Sequence, residues 1–172
     1  RLGDDACTEV DVEAVRRLSS RQTAVNLLPK LRVEGTEGES FWLTSVDEAC
    51  SFAAMHEKVL LKAPWSGSGK GIQPLCGQPD DNLKGWTRRI IASQGGVVGE
   101  PFYDKVKDFA MEFQVTDEGV RFAGYSLFEA DARGIYKENL LASDEAIGAV
   151  LAEYVGEVLL HRLQRLLAVE LE

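Results

Sequence analysis

The sequence is poor in cysteine and histidine, and both shortages exclude classes of protein. The three cysteines, Cys7, Cys50 and Cys76, are widely spaced and form no C-x-x-C pair. Neither a disulfide framework nor a zinc site is therefore indicated. The two histidines, His56 and His161, lie far apart and form no Ser/His/Asp pattern. Reduced thiols are the simplest interpretation, and we expect a cytoplasmic protein.

Positive charge is also scarce. With 19 Lys and Arg against 28 Asp and Glu, the formal net charge is −9. Binding to nucleic acid depends on Lys and Arg that neutralise phosphates, and anionic membranes attract basic clusters in the same way. No basic stripe and no apolar run long enough to span a bilayer is present. We therefore expect neither nucleic acid nor membrane as a partner.

Hydrophobic periodicity divides the remaining sequence into helical and extended segments. Helical patterns cover residues 10–18, 21–31, 46–56, 83–94 and 143–172, and extended patterns cover residues 41–43, 59–63, 97–102, 109–115 and 120–128. The last two extended segments flank a turn and predict a β-hairpin. Turn-forming residues predict loops at 72–81 and 129–142. This order indicates an α+β fold with a mainly antiparallel sheet and flanking helices.

A Gly-rich segment at residues 62–71, Lys-Ala-Pro-Trp-Ser-Gly-Ser-Gly-Lys-Gly, is the strongest functional signal. Glycines expose backbone N–H groups and tolerate positive φ, so several donors can converge on one phosphate. The serines add hydroxyl groups, Lys70 adds charge, and Lys62 ends an apolar strand that can aim its ammonium group. We predict that this segment holds phosphates. A flexible surface loop is the alternative.

Two familiar phosphate-binding motifs do not fit this segment. Walker A requires G-x-x-x-x-G-K-[ST], and with Gly69 and Lys70 as its G-K pair the first glycine position holds Pro64. Gly71 then stands where Walker A has the hydroxyl that holds Mg²⁺. The Rossmann pattern G-x-G-x-x-G fails because Ile72 occupies its last position. A P-loop NTPase or kinase is therefore disfavoured.

Three segments, in this order and spacing, resemble the ATP-grasp superfamily. Residues 59–71 look like its strand with a nucleotide-binding lysine and a Gly/Ser loop over the phosphates. Residues 97–102 look like the strand that ends in a Glu-containing hinge, and residues 108–113 look like the acidic strand that follows. The resemblance covers about residues 40–140 and divides the chain into an N-terminal helical segment (1–40), a nucleotide-binding core (41–142) and a C-terminal helix (143–172).

The resemblance implies ATP as the cofactor and a set of binding residues. These are Lys62, Ser66, Gly67, Ser68, Gly69, Lys70, Gly71, Glu100, Phe102, Tyr103 and Asp108. Lys62 would contact the α-phosphate or the adenine edge, and the loop would cover the β- and γ-phosphates. Residues 100–103 would bind adenine largely through the backbone, with Phe102 or a neighbouring apolar residue against the ring, and Asp108 would face the ribose hydroxyls.

The metal site of the family has no counterpart in this sequence. ATP-grasp enzymes hold Mg²⁺ late in the fold, typically through an E-x-N pattern, and nothing after residue 143 matches it. Glu138 and Asn139 are adjacent rather than spaced, and they fall in the expected loop after the hairpin. Arg1 is not an initiator methionine, and the last two residues resemble a vector scar. We therefore expect an excised piece of a longer protein, with Mg²⁺ bound only in the full-length form.

The implied function is the ATP-binding part of an ATP-dependent ligase. The longer protein would join a carboxylate to an amine or thiol through an acyl-phosphate, with a small acid as substrate, and the isolated piece would turn over little. Exposed surfaces of the piece would favour a homo-oligomer. The alternative is a degenerate ATP-grasp-like binding or interaction module without catalysis. No catalytic residue and no metal ligand is assigned.

Overall fold

A computed structural model describes residues 11–67, 70–131 and 136–172 of the chain. Its helices are α1 (Val12–Leu18), α2 (Arg21–Leu31), α3 (Val46–Ala54), α4 (Asp81–Gln94), α5 (Asp144–Val155) and α6 (Glu157–Leu171). Its strands are β1 (Phe41–Leu43), β2 (Lys58–Lys62), β3 (Ile72–Cys76), β4 (Val97–Pro101), β5 (Asp108–Thr116), β6 (Gly119–Ala130) and β7 (Tyr136–Asn139). Every strand pairing in these ranges is antiparallel, which confirms the expected fold class.

The first sheet has the strand order β1-β4-β2-β3, so the two central strands come from separate parts of the chain. Both are short and apolar at their centres, and Leu61 and Val97 are fully buried. Helices α3 and α4 pack against this sheet and cover it with Phe52, Trp86 and Ile90. A buried apolar core therefore lies beneath β2 and β4.

The second sheet has the order β5-β6-β7 and is covered by α5 and α6. Leu127, Ile147, Leu151 and Leu160 form its buried core. The predicted hairpin is confirmed, although its alternation is interrupted by a β-bulge after Glu112, where two residues of one strand oppose one of the other. Residues 114–118, at the turn end of the hairpin, are exposed.

The structure corrects two predicted loops. Residues 72–76 form β3, which pairs with β2 along its whole length, from Lys62 opposite Ile72 to Lys58 opposite Cys76. Pro74 is tolerated because β3 is an edge strand, where a missing N–H costs no ladder hydrogen bond. Residues 136–139 form β7 on the edge of the second sheet. All four of its residues are exposed, so no alternation of apolar and polar residues indicated a strand.

Polar caps and glycines set the helix limits. Ser45 caps α3 by accepting from the N–H of Glu48 at 3.1 Å, as the S-x-x-E pattern predicted. Gly95 ends α4 with φ of 83°, and Gly156 separates α5 from α6 with φ of 86°. In the parts of the chain that the structure describes, no helix is long and apolar enough to cross a membrane.

Candidate nucleotide-binding site

The Gly-rich segment connects the antiparallel strands β2 and β3. The N–H of Ala63 donates to the carbonyl of Gly71 at 2.8 Å and closes the base of this loop. A side chain at Gly71 would collide with Ser66 and approach Cβ of Ala63 to 3.1 Å, so glycine is required there. Two predicted site residues, Ser68 and Gly69, lie outside the described residues. The described loop residues begin at the end of central strand β2 and lead into edge strand β3.

Lys62 and Glu100 form an ion pair across the two central strands. The Nζ of Lys62, at the end of β2, contacts Oε2 of Glu100 on β4, and the side chains are 19% and 25% exposed. The hydroxyl of Ser40 lies 3.5 Å from Oε1 of the same carboxylate. Two residues predicted separately from the sequence are therefore direct partners. Together they present an ammonium group and a carboxylate beside the Gly-rich loop.

Arg21 contacts the Gly-rich loop and was not predicted from the sequence as part of this site. Its Nη1 donates to the carbonyl of Ala63 and to the hydroxyl of Ser66, both at 2.6 Å. Its Nη2 donates to the carbonyl of Ser66 at 3.0 Å. Burial lowers the pKa of Arg21, and the nearby charge of Glu100 opposes that shift. A lone arginine at the start of a helix carries no sequence pattern that would have indicated this role.

Trp65 supplies the other supports of the loop. Its indole N–H donates to the carbonyl of Arg16 on α1 at 2.8 Å, and the guanidinium carbon of Arg16 lies 5.0 Å from the ring centroid. The backbone N–H of Trp65 donates to the side-chain carbonyl of Gln94, the last residue of α4, at 3.0 Å. Helices α1, α2 and α4 therefore all hold the first half of the loop.

The segment after β4 is ordered by contacts with neighbouring strands and loops. The N–H of Phe102 donates to the carbonyl of Lys58 at 2.9 Å, and the ammonium group of Lys58 lies 3.4 Å from the Phe102 ring centroid. The hydroxyl of Tyr103 accepts from the N–H of Glu39 at 3.0 Å. One face of the Phe102 ring is therefore already occupied by a cation from its own strand pair.

Asp108 and Lys70 are the least engaged of the predicted residues. The carboxylate of Asp108 pairs with Lys105 at 2.5 Å, beside a small cavity of about 240 Å³ between residues 105–108 and 128–130. Among the described residues, Asp108 therefore forms its ion pair with Lys105 and not with Lys62. Lys70 is exposed, and its side chain makes no hydrogen bond or ion pair with the described part of the chain.

The acidic residues late in the chain lie on strands and not in a loop. Glu138 and Asn139 belong to β7, which corrects the expected loop position, and Glu138 lies opposite Glu129 on β6. Within residues 11–67, 70–131 and 136–172, no group of three His, Cys, Asp or Glu side chains is arranged to hold a metal ion.

Comparison with known proteins identifies the fold. No family model and no curated protein matches the sequence. Seventeen chains of solved structures match the structure. One is D-alanyl-alanine synthetase A from Vibrio cholerae, with a TM-score of 0.51 and 14% identity over 84% of this chain and 47% of that one.

Two further structures were solved with nucleotide. N5-carboxyaminoimidazole synthetase from Staphylococcus aureus, complexed with ADP, has a TM-score of 0.54 and 16% identity over 87% of this chain and 38% of that one. The biotin carboxylase domain of 2-oxoglutarate carboxylase from Hydrogenobacter thermophilus, complexed with ADP, MgADP and bicarbonate, has a TM-score of 0.59 and 18% identity over 84% and 35%.

All three of these proteins are ATP-grasp enzymes. At such low identity the likeness establishes the fold alone, and the expected ATP-grasp-like fold is confirmed. The chain spans between about a third and a half of the length of these three proteins.

Proposed function

We propose that this chain binds ATP between the end of β2 and the segment that follows β4. The observation that carries the proposal is the Lys62–Glu100 pair beside the Gly-rich loop on an ATP-grasp-like fold. The adenine edge offers a hydrogen-bond donor and an acceptor side by side. A carboxylate and an ammonium group held together match that edge, so the pair favours an adenine contact for Lys62 over a phosphate contact.

The other predicted residues take roles around this pair. Residues 66–71 cover the β- and γ-phosphates, and Lys70 is exposed and available to supply positive charge there. Residues 100–103 hold adenine through the backbone, with Phe102 or its neighbours against the ring. Asp108 faces the ribose hydroxyls and exchanges Lys105 for them. The cytoplasm, where Cys50 and Cys76 remain free thiols, is the proposed location.

A longer protein that contains this chain would, in this proposal, be an ATP-dependent ligase. Transfer of the γ-phosphoryl group to a small carboxylic acid gives an acyl-phosphate and ADP, and attack by an amine or thiol then releases phosphate. Such transfer depends on metal ions to neutralise charge between phosphates. We propose that Mg²⁺ is held only in the full-length protein, so the isolated chain binds nucleotide with little turnover.

Thermal unfolding with increasing Mg-ATP tests the proposal. Saturating ATP at 100 times its Kd stabilises the folded state by about 2.7 kcal/mol, which raises the wild-type Tm by a few degrees. Lys62→Ala removes the ammonium group and lowers the affinity about tenfold or more. Lys84→Ala is the matched control, because Lys84 lies ten residues from Gln94 along α4, about 15 Å by helical rise. Equal stabilisation of wild type and Lys62→Ala would contradict the assignment.

A degenerate binding module is the second candidate, and one observation favours it. The half-buried cations at the loop already have partners within the chain, since Lys62 pairs with Glu100 and Arg21 binds Ala63 and Ser66. If neither ATP nor ADP shifts the Tm at millimolar concentration, in this chain or in the full-length protein, the nucleotide site is lost and this second function stands.

A further inference from the structure

We propose that Arg21 is a positioning residue that fixes residues 63–66 of the Gly-rich loop in the conformation that meets the nucleotide phosphates. This inference rests on the proposed function, because it takes the loop to be the phosphate-binding element. Arg21 lies outside the nucleotide-binding core of residues 41–142 expected from the sequence. The N-terminal helical segment would therefore contribute a residue that positions the binding site.

Both the backbone and the side chain of Arg21 hold the loop. The N–H of Arg21 donates to the carbonyl of Pro64 at 3.1 Å. The guanidinium group reaches the carbonyls of Ala63 and Ser66, at 2.6 and 3.0 Å, and also the Ser66 hydroxyl at 2.6 Å. Four hydrogen bonds from one residue thus span the turn that leaves β2. The planar fork of arginine can serve these separated acceptors together, whereas the compact ammonium group of lysine cannot.

The start of α2 fixes where Arg21 stands. Ser20 is 7% exposed and caps the helix, accepting from the N–H of Gln22 at 3.2 Å. Its extended backbone turns the chain so that Arg21, the first helical residue, faces the loop. An N-cap bond of this kind stabilises the helix end and sets its first turn. The guanidinium group is therefore presented from a fixed helix end.

The contact with Ser66 also restricts the direction of its hydroxyl proton, which cannot point towards Arg21. A serine hydroxyl has one donor and two acceptor positions. Because Arg21 occupies an acceptor position, the O–H of Ser66 is left to donate elsewhere, and a phosphate oxygen is the acceptor that the proposed function supplies. Arg21 thus acts on the nucleotide through Ser66 and the backbone, and it needs no direct contact with the ligand.

Two measurements on Arg21→Lys test this role. Hydrogen–deuterium exchange of peptides covering residues 63–67 reports the order of the loop without ligand, and calorimetric titration gives the affinities for ATP, ADP and AMP. We expect exchange in this segment to rise several-fold while exchange in α4 stays unchanged. We also expect ATP and ADP to bind about tenfold more weakly, and AMP to bind within about twofold of wild type.

Two further variants sharpen the test. Arg88→Lys is the matched control, because Arg88 is exposed on α4 and makes no side-chain hydrogen bond within the described ranges. Ser66→Ala keeps Arg21 and its charge but removes one acceptor. If Arg21 acts through this hydroxyl, the effects of Arg21→Lys and Ser66→Ala on ATP affinity are not additive.

The outcomes separate this inference from the proposed function. Unchanged exchange and unchanged ATP affinity in Arg21→Lys overturn the inference while ATP binding by wild type upholds the function. Faster exchange throughout α4 also overturns it, since that shows a general structural role. If wild type binds no nucleotide, the proposed function fails, and the exchange of residues 63–67 alone decides whether Arg21 positions the loop.

Discussion

The two sheets of this chain differ in where they keep their charged residues. In the first sheet the charges of Lys62 and Glu100 sit at the ends of central strands and are mostly buried. In the second sheet Arg121 and Glu138 are exposed, and the shielded carboxylate of Asp108 (22% exposed) pairs with Lys105, which is 48% exposed. The first sheet also has the larger buried cluster. Among the ion pairs of the described residues, Lys62–Glu100 is therefore the pair in which both side chains are at most a quarter exposed.

This difference indicates that one region positions the candidate site and the other region does not. The first sheet with α3 and α4 positions the candidate site and also contains all three tryptophans, Trp42, Trp65 and Trp86. The second sheet with α5 and α6 contacts the rest mainly through α2, for example by the exposed Lys30–Glu170 pair at 2.6 Å. Tryptophan fluorescence therefore reports the first region, and each mutation below tests whether the two regions differ as described.

The largest effect is expected at the centre of the first sheet. Leu61 is fully buried beneath the site, so Leu61→Ala removes buried methyl groups and leaves a cavity. We expect a loss of about 3–5 kcal/mol in the free energy of unfolding, measured by urea denaturation with tryptophan fluorescence. Leu141→Ala is the control in the second region, since Leu141 is 95% exposed and should change stability by less than about 0.5 kcal/mol. A similar loss in both variants would contradict the assignment of the core.

The equivalent change in the second region separates the two sheets. Leu151 is also fully buried, between α5 and β6, and Leu151→Ala should cost about 2–4 kcal/mol. Because the contacts between the regions are limited, we expect the circular dichroism midpoint to fall more than the fluorescence midpoint. Coincident shifts of both probes would show that the two regions unfold as a single cooperative unit.

Alanine substitutions at Gly99 and at Gly148 should have opposite signs, because a methyl group is crowded at the first position and accommodated at the second. A methyl group at Gly99 on β4 would lie 2.8 Å from Leu43 and 2.9 Å from Phe52, so Gly99→Ala should cost about 1–3 kcal/mol. At Gly148 in α5 the nearest atom would be in the Tyr125 ring at 3.4 Å, an ordinary contact. Gly148→Ala should therefore stabilise the protein by about 0.5–1 kcal/mol through helix propensity. Thermal unfolding of both variants compares the two directly.

The smallest effect concerns the helix caps and depends on pH. Hydrogen bonds from the Thr44 backbone N–H and hydroxyl to the carboxylate hold the pKa of Glu48 below its usual range. A pKa lowered by folding stabilises the protein above the unfolded value of about 4.3, and this contribution is lost as the pH falls through the folded value. Glu48→Gln should therefore lower the Tm at pH 7, and the difference from wild type should shrink as the pH falls through the lowered pKa of Glu48.

The second region provides the control for this pH effect. At the start of helix α5 the Ser143 hydroxyl accepts from the N–H of Ala146 at 3.3 Å. Position 146 is alanine and not glutamate, so no side chain there can accept a hydrogen bond in return. Glu145→Gln in its first turn should give a Tm difference from wild type that is smaller than that of Glu48→Gln at pH 7. A larger difference for Glu145→Gln would show that the reciprocal cap of α3 is not the cause.

Sequence patterns predicted the elements whose side chains alternate or repeat, and failed for the edge strands. The hairpin of β5 and β6 and the helix ends at Ser45 and Gly95 follow from local chemistry. Strand β3 contains a proline and β7 is exposed at every residue, so only pairing with a neighbour makes them strands. Local sequence carries no information about such pairing.

The site was predictable in the same limited way. Lys62 and Glu100 were each predicted as ligand contacts, but their pairing depends on the register of β2 with β4. Arg21 was missed because its partners lie 42 to 45 residues away and are mostly backbone carbonyls, which no sequence pattern marks. The roles given to Phe102, Tyr103 and Asp108 remain predictions.

Residue-resolved nuclear magnetic resonance during an ADP titration tests the central claim most directly, and a chain of 18.9 kDa is suited to it. We predict that the amide signals of Lys62, Gly71, Glu100, Phe102 and Tyr103 shift together and saturate at one Kd. Signals around Leu127 and Leu151 in the second core should stay in place. No shift at millimolar ADP, or shifts confined to the second sheet and its helices, would contradict nucleotide binding at the first sheet.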